Sequence, residues 1–278
     1  MGSKLGYDGP GPFDDVIWAN PVEIALGRLD ELSLDGQHPK IEALGVILFA
    51  YLKLKLKLRI AGYDADFFSY DWRLDLIGLG KKLAAQIKSE GPRVHLVAHS
   101  MGGLVARSAL LEKPTGLERI VMLGTPNFGS FAPIQAFRGQ YSIANKVAFI
   151  DLRHSKEDLA KIFCTFPGLC EMIPSPEKYA QNFFELSSWP ANGVRPAQSA
   201  LAAALKTDRE LPTDYDQLYI IAGVDQETVV NASVANDEFV YTTSTVGDGT
   251  VPLQCVLLPT AAEDLLRGRI SRQPAEQC

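Results

Sequence analysis

The chain has 278 residues, 46% of them apolar and 22% charged, with a formal net charge of −6 and a pI near 5.3. That is enough apolar chain for an ordinary core in one large domain, and the basic residues are scattered, which argues against a nucleic-acid or anionic-membrane surface. Four cysteines, Cys164, Cys170, Cys255 and Cys278, with no C-x-x-C pair among them, exclude a disulfide scaffold and a thiolate metal or redox centre.

The opening MGSKLGYDGPGPFDDVIWAN carries neither a basic n-region nor an apolar h-region, so no signal peptide is expected and the default compartment is the cytoplasm. In that setting free buried thiols are the favoured reading of the cysteines. A Cys164–Cys170 bridge in an oxidising compartment is the alternative. The longest apolar run, Leu44 to Leu52, falls far short of the roughly 20 residues that span a bilayer, so no transmembrane segment is expected.

Residues 45–63, GVILFAYLKLKLKLRIAGY, read two ways. Alternating Lys and Leu suits a strand, but Leu48, Leu52, Leu56 and Ile60 form an i, i+4 row closed by Gly62, which favours a helix with the lysines on its solvated side. DADFFSYDW (64–72) reads as a strand running into a loop, and LIGLGKKLAAQIKSEG (76–91) as an amphipathic helix stopped at Gly91-Pro92. RVHLVAH (93–99) is a buried strand, GGLVARSALLEK (102–113) a helix, and ERIVMLGT (118–125) and DQLYIIAGVD (216–225) further strands. Continuous apolar strands separated by helices indicate a mostly parallel sheet covered on both faces. The stretch between the last two strands, about residues 127–215, is too long for a simple connection and is expected to form a cap over the sheet's carboxyl edge. A helix is expected in it at 195–206.

The segment A-H-S-M-G (98–102) places Ser100 where a strand ends and a helix begins, with Ala98 and Gly102 two residues to either side. Small residues are needed there when a serine is held on a strained strand-to-helix turn, with its Oγ above the sheet and helix N–H groups facing any developing negative charge. The Met101 N–H would be one oxyanion donor. The plain alternative is a serine in an ordinary βα turn. His99 and His95 are poorly placed to act as a base, His99 because its side chain should point away from the turn.

With these residues in view, the chain resembles the lecithin:cholesterol acyltransferase-like branch of the α/β-hydrolase lipases. SYDWRLDL (69–76), VAHSMGGLVAR (97–107), LGTPNFGS (123–130) and VGDGTVPL (246–253) carry the resemblance, in the family's order. It implies an α/β-hydrolase domain over residues 1–259 with an inserted cap, and an atypical tail over 260–278. It also implies Ser100 as nucleophile and Asp248 as the acid that orients a base, in chain order Ser, Asp, His. Asp248 follows the strand-like EFVYTTSTV (238–246); its plain alternative is a β-turn aspartate, and Asp225 is the reserve candidate. Asp71, Trp72 and Arg73 read as architecture beside the site, with an Asp–Arg pair steadying a loop. No metal or organic cofactor is implied.

One member of the set is missing. The histidines are His38, His95, His99 and His154, and none follows Asp248; His154, in the cap, would need an unusual arrangement. A serine hydroxyl is a poor nucleophile without a base. The last fifteen residues, DLLRGRISRQPAEQC, do not resemble the family, which has Tyr-Tyr followed by a His-Gly-x-Leu-Pro segment. Codons for this tail can be written that, read one nucleotide later, give TYYVDGSHGNLPNS. The expectation is therefore a frame shift between about Pro259 and Asp264. Similarly, MGSKL resembles the end of the family's P-G-x-M-G-S-x-L loop, so that the first core strand and a second oxyanion donor are expected upstream of Met1.

The function so implied is a serine lipase or O-acyltransferase of lipid metabolism, acting on a lipid or other ester and passing the acyl group to water or an alcohol. Phe163, Phe166, Pro167, Leu169 and Ile173 of the cap would suit an acyl chain, or equally a core. The competing readings are a catalytically impaired α/β-hydrolase-fold lipid-binding or interaction module, which the absent base favours, and an esterase of another hydrolase branch.

Overall fold

A computed structural model describes residues 2–9, 14–36, 40–141, 151, 153–259 and the backbone of 263–267. Strands β1 (Ser3–Tyr7), β2 (Asp15–Trp18) and β3 (Glu42–Val46) form a small antiparallel sheet in the order β2-β1-β3. Helix α1 (Pro21–Ala25) and a 3-10 turn at Arg28–Leu32 separate β2 from β3.

Helix α2 (Leu48–Ile60) occupies the ambiguous segment, as the i, i+4 row predicts. The row is nevertheless not docked: no α2 residue is buried, and Leu48, Leu52, Leu56 and Ile60 are 50%, 41%, 50% and 87% exposed. Leucines at every second position turn by about 200° per step around a helix, so they mark no single face for burial. Lys55 bonds Asp66 at 2.6 Å and lies over the Phe67 ring, so it belongs to a local contact rather than a free solvated row.

The expected strand over 64–72 is not formed. Residues 63–70 have no ladder partners among the described residues, and a strand exists only by pairing its N–H and C=O groups with a neighbour. Its C-terminal end is well fixed. Arg73, 3% exposed, donates to Asp71 Oδ1 at 2.9 Å, Asp71 Oδ2 at 2.6 Å and the Leu32 carbonyl at 2.7 Å, which is the loop-steadying pair that the sequence suggests. Trp72 packs edge-on against Trp18 and Phe166 at 5.4 and 5.6 Å.

Helix α3 (Leu76–Glu90) follows, with Asp75 accepting from the Gly78 N–H at its start and Gly91 in the left-handed region, φ 88°, at its end. Its buried residues Leu76, Leu79, Gly80, Leu83, Ala84 and Ile87 make one stripe. The main sheet is β4 (Val94–His99), β5 (Leu117–Leu123), β6 (Leu218–Gly223) and β9 (Glu263–Arg267), every neighbouring pair parallel. Parallel strands need crossovers, and helix α4 (Met101–Leu110) supplies the first. Among the described residues no strand pairs with the outer edge of β4, Val97 there is 41% exposed and only Ala98 of β4 is buried, so β4 is an edge strand and not the buried strand expected from RVHLVAH.

Between β5 and β6 lie α5 (Ala132–Phe137), α6 (Lys156–Phe163), α7 (Pro167–Cys170) and α8 (Gln198–Glu210). The helix expected at 195–206 is α8, begun three residues later. Phe131, Phe137, Phe183, Phe184 and Trp189 bury themselves here, Phe131 meeting Tyr179 and Phe183 at 5.1 and 5.6 Å. A hairpin, β7 (Thr228–Ala235) with β8 (Glu238–Ser244), turns at Asn236 and Asp237, both at positive φ (52° and 60°), the turn geometry that matches strand twist. Asp237 accepts from the Asn192 N–H at 3.0 Å and Phe239 packs on Trp189 at 5.5 Å, so the hairpin leans on the inserted segment before the chain reaches Asp248. A short α9 (Leu253–Val256) follows. Cys164, Cys170 and Cys255 are free thiols. The tail beyond Arg267, His38 and Cys278 lie outside the described residues.

Candidate active site

Ser100 stands between β4 and α4 with φ 54° and ψ −128°. For a non-glycine residue this backbone costs about 1–3 kcal/mol and persists only where its surroundings enforce it. They do so here through the Ser100 N–H, which bonds the Leu123 carbonyl of β5 at 2.9 Å, and the Ser100 carbonyl, which accepts from Gly103 at 3.0 Å. Close packing follows from the glycines. A Cβ at Gly103 would stand inside the Thr125 side chain, 2.5 Å from Cγ2, whereas Gly102 has Tyr70 Oη and Ala98 Cβ only at ordinary contact distance, 3.6 and 3.9 Å. Met101 is the first residue of α4, and the first N–H groups of a helix have no intrahelical acceptor.

Asp248 reaches the same edge of the sheet from the other side. Its backbone makes a parallel bridge with Gln226, and its Oδ1 accepts from the Thr250 and Val251 N–H groups at 2.9 and 2.8 Å. Its Oδ2 accepts no hydrogen bond among the described residues and lies 2.9 Å from where a Cβ on Gly124 would be, at the end of the strand that holds the Ser100 N–H. Gly223, at the end of β6, is as closely approached: a Cβ there would be 2.7 Å from Asp248 Cβ. Glycine at these two strand ends is what lets the carboxylate lie over the sheet. Asp225 is exposed and makes a backbone bond to Thr245.

Ser100 opens into a cleft that also meets Trp18, Ser130, Ala136, Phe163, Met172 and Thr250. Of the residues between β5 and β6 suggested for an acyl chain, Phe163 and Leu169 line this cleft, while Phe166 and Ile173 (0% and 1% exposed) are core. Tyr141 also lines the cleft, and burial raises its phenol above the ordinary value. Sequence reasoning passed over Trp18, Ser130 and Tyr141. Ser130, closing the LGTPNFGS motif, carried a signal; Trp18 and Tyr141 are brought in only by folding.

No histidine among the described residues lines the cleft. His99 turns its Nδ1 to Tyr51 Oη at 3.1 Å, and burial lowers it below its ordinary value against the pull of Asp248. His95 meets the Tyr63 ring edge-on at 6.0 Å. His154 Nδ1 is 2.9 Å from Asp151 Oδ2 at the start of α6. Among the described residues no cluster of His, Cys, Asp or Glu could hold a metal ion, and no helix is long and apolar enough to cross a membrane.

A curated relative, the uncharacterised protein YJR098C of Saccharomyces cerevisiae, is 28% identical over 138 residues, 46% of this chain. The chain spans only 21% of that relative's length. Among solved structures, Bacillus licheniformis lipase BlEst2 in mature form is 19% identical with a TM-score of 0.42, over 76% of this chain and 72% of that one. The Tle4–Tli4 complex is 16% identical with a TM-score of 0.43, over 75% and 56%. Likenesses this distant carry no chemistry across. The parallel sheet with its crossover helices, the serine at the β4–α4 turn and a match to the Alpha/beta hydrolase family over residues 44–261 agree with one another, and the chain belongs to the α/β hydrolase family.

Proposed function

We propose that this protein is a serine hydrolase acting on lipid esters, a lipase or O-acyltransferase, with Ser100 as nucleophile, Asp248 as the orienting acid and the Met101 N–H as an oxyanion donor. The observation that carries the reading is Ser100 in its strained turn, opening into a mostly apolar cleft, with the Asp248 carboxylate over the ends of the two neighbouring strands. Ser100 Oγ would add to the ester carbonyl carbon, the alcohol would leave as the tetrahedral intermediate collapses, and water or an alcohol would take the acyl group from the serine. The membership of the lecithin:cholesterol acyltransferase-like branch belongs to the same proposal, on the motifs named above.

The base is supplied, on this reading, by a chain end read in the shifted frame. The reading has TYYV take the place of β9, which runs parallel to β6 and ends with Arg267 opposite Gly223, beside Asp248. In the alternate tail the histidine falls at position 271, four residues past that point. The chain ending in DLLRGRISRQPAEQC should then turn over esters at a rate lower by about 10⁶, as loss of a triad histidine can cause.

The test replaces residues 264–278 by TYYVDGSHGNLPNS and measures fluorophosphonate labelling and hydrolysis of a short-chain p-nitrophenyl ester. The expected result is labelling and turnover in the replaced chain, both abolished by Ser100→Ala. A folded replaced chain with neither activity would overturn the enzyme reading. The second reading, a lipid-binding module with an impaired triad, is favoured by the cleft having no histidine among the described residues. Under it, saturable binding of a fluorescent fatty acid would persist with no labelling in either chain.

A further inference from the structure

Helix α4 carries a buried cation whose bonds converge on the site from behind. Arg107, 1% exposed, donates from Nε to the Pro212 carbonyl at 2.7 Å, from Nη2 to the Leu211 carbonyl at 3.1 Å, and from Nη1 to the Asn127 carbonyl at 2.7 Å. Among the described residues its hydrogen-bond acceptors are backbone oxygens, with Asn127 Oδ1 a longer contact at 3.4 Å. Burial lowers its pKa to about 10. The Asp208 and Glu177 carboxylates attract its charge through space against the cost of burial, yet a buried ionic group is costly and a well-packed apolar side chain is often as stable or more so. Arg107 therefore calls for a role besides stability.

Asn127 continues the chain of contacts. Its side chain, in a residue 3% exposed, donates from Nδ2 to the Val256 carbonyl at 2.7 Å, and the next residue, Phe128, bonds the Cys255 carbonyl at 2.9 Å. Val256 ends α9, which begins two residues after Val251, the donor to Asp248 Oδ1. Three separate pieces thus meet at Asn127: the helix that starts at Ser100, the Pro126–Ser130 wall of the cleft, and the loop holding Asp248.

We propose that Asn127 is a positioning residue, held by Arg107, that keeps the Asp248 loop in register with Ser100. The proposal rests on the reading of Ser100 and Asp248 given above. It acts through the Val256 carbonyl rather than through contact with substrate, and the amide is required because one side chain must accept or lie beside Arg107 and also donate to Val256.

Asn127→Asp separates these roles: the carboxylate keeps its place beside the Arg107 guanidinium but has no N–H for Val256. In the full chain, amide exchange at Thr250 and Val251 should accelerate about tenfold while α3 amides keep their protection, since the loss is local. In the tail-replaced chain, kcat should fall about tenfold or more with KM little changed, the mark of an interaction felt in the transition state. Ile87→Val, a core truncation in α3 that lowers Tm without touching the site, is the control and should leave both readouts at their parent values. Unchanged exchange at Thr250 and Val251 in Asn127→Asp overturns the proposal, as does an equal kcat loss in Ile87→Val. If the tail-replaced parent has no turnover, the catalytic reading fails, and the exchange experiment still decides whether Asn127 fixes the loop.

Discussion

Replacing Glu171 by glutamine should make the protein more stable above neutral pH and change its stability by less than about 1 kcal/mol near pH 5. Glu171 follows α7, and its carboxylate accepts from the Leu76 N–H at the start of α3 at 2.7 Å (Oε2) and from the Thr207 hydroxyl at 2.8 Å (Oε1). It thereby latches the inserted segment onto the helix after the Asp71–Arg73 loop. Gly168, one turn earlier, seats the same short helix: a Cβ there would be 2.6 and 2.7 Å from the Trp72 and Leu74 carbonyls. Burial, helped by Asp75, pushes the Glu171 pKa from 4.5 up to about 7 even though both donors favour the charged form.

The folded protein therefore binds the Glu171 proton more tightly than the unfolded chain does. Stability from this group is fully present below the unfolded pKa of 4.5 and is lost as pH rises through about 7. A displacement of about 2.5 pH units at about 1.36 kcal/mol each amounts to at most about 3 kcal/mol. Glutamine is neutral throughout and can satisfy both neighbours, with Oε1 accepting from Leu76 and Nε2 donating to the Thr207 oxygen. Urea unfolding of both proteins from pH 5 to 8.5 measures the effect, since the difference curve cancels every other titrating group. It should rise with pH and level off near 3 kcal/mol, about 5 °C in Tm for a chain of this size. A flat difference curve, or a variant destabilised at pH 8, would refute the argument that burial governs this carboxyl.

Two further substitutions probe the packing and the thiols. Gly103→Val should lower stability by about 1–3 kcal/mol or more, because its Cβ would collide with the buried Thr125 side chain behind the Ser100 turn, and overpacking of this kind is not relieved by rotation; a urea midpoint equal to the parent's would contradict the packing described. In a Cys278→Ser variant at pH 8, the remaining thiols should react with Ellman's reagent only on unfolding. Burial raises Cys170 to about 12, Cys255 to about 11 and Cys164 as well, leaving little thiolate to attack. Fast reaction of the native variant would count against it.

The local chemistry of the chain is legible in its sequence. The stripe of α3, its Asp75 and Gly91 boundaries, the apolar β4, β5 and β6 and the small residues around Ser100 each follow from spacing and backbone sterics, which are properties of neighbours in sequence. The Asp71–Arg73 pair was readable for the same reason, its members being two residues apart. Where the sequence misled, the deciding partner lay far along the chain or was absent. Residues 64–72 have strand composition but no ladder among the described residues, and none of those residues covers the leucine row of α2.

Tertiary structure alone brought Asp248 to the ends of β5 and β6, carried Trp18 and Tyr141 to the cleft, and joined Arg107, Asn127 and Val256 behind it. Sequence fixes what a residue can do and what its near neighbours must be, because sterics and periodicity act over a few residues. Which groups meet across a hundred residues is set by how the sheet and the inserted segment pack, and no local pattern encodes that.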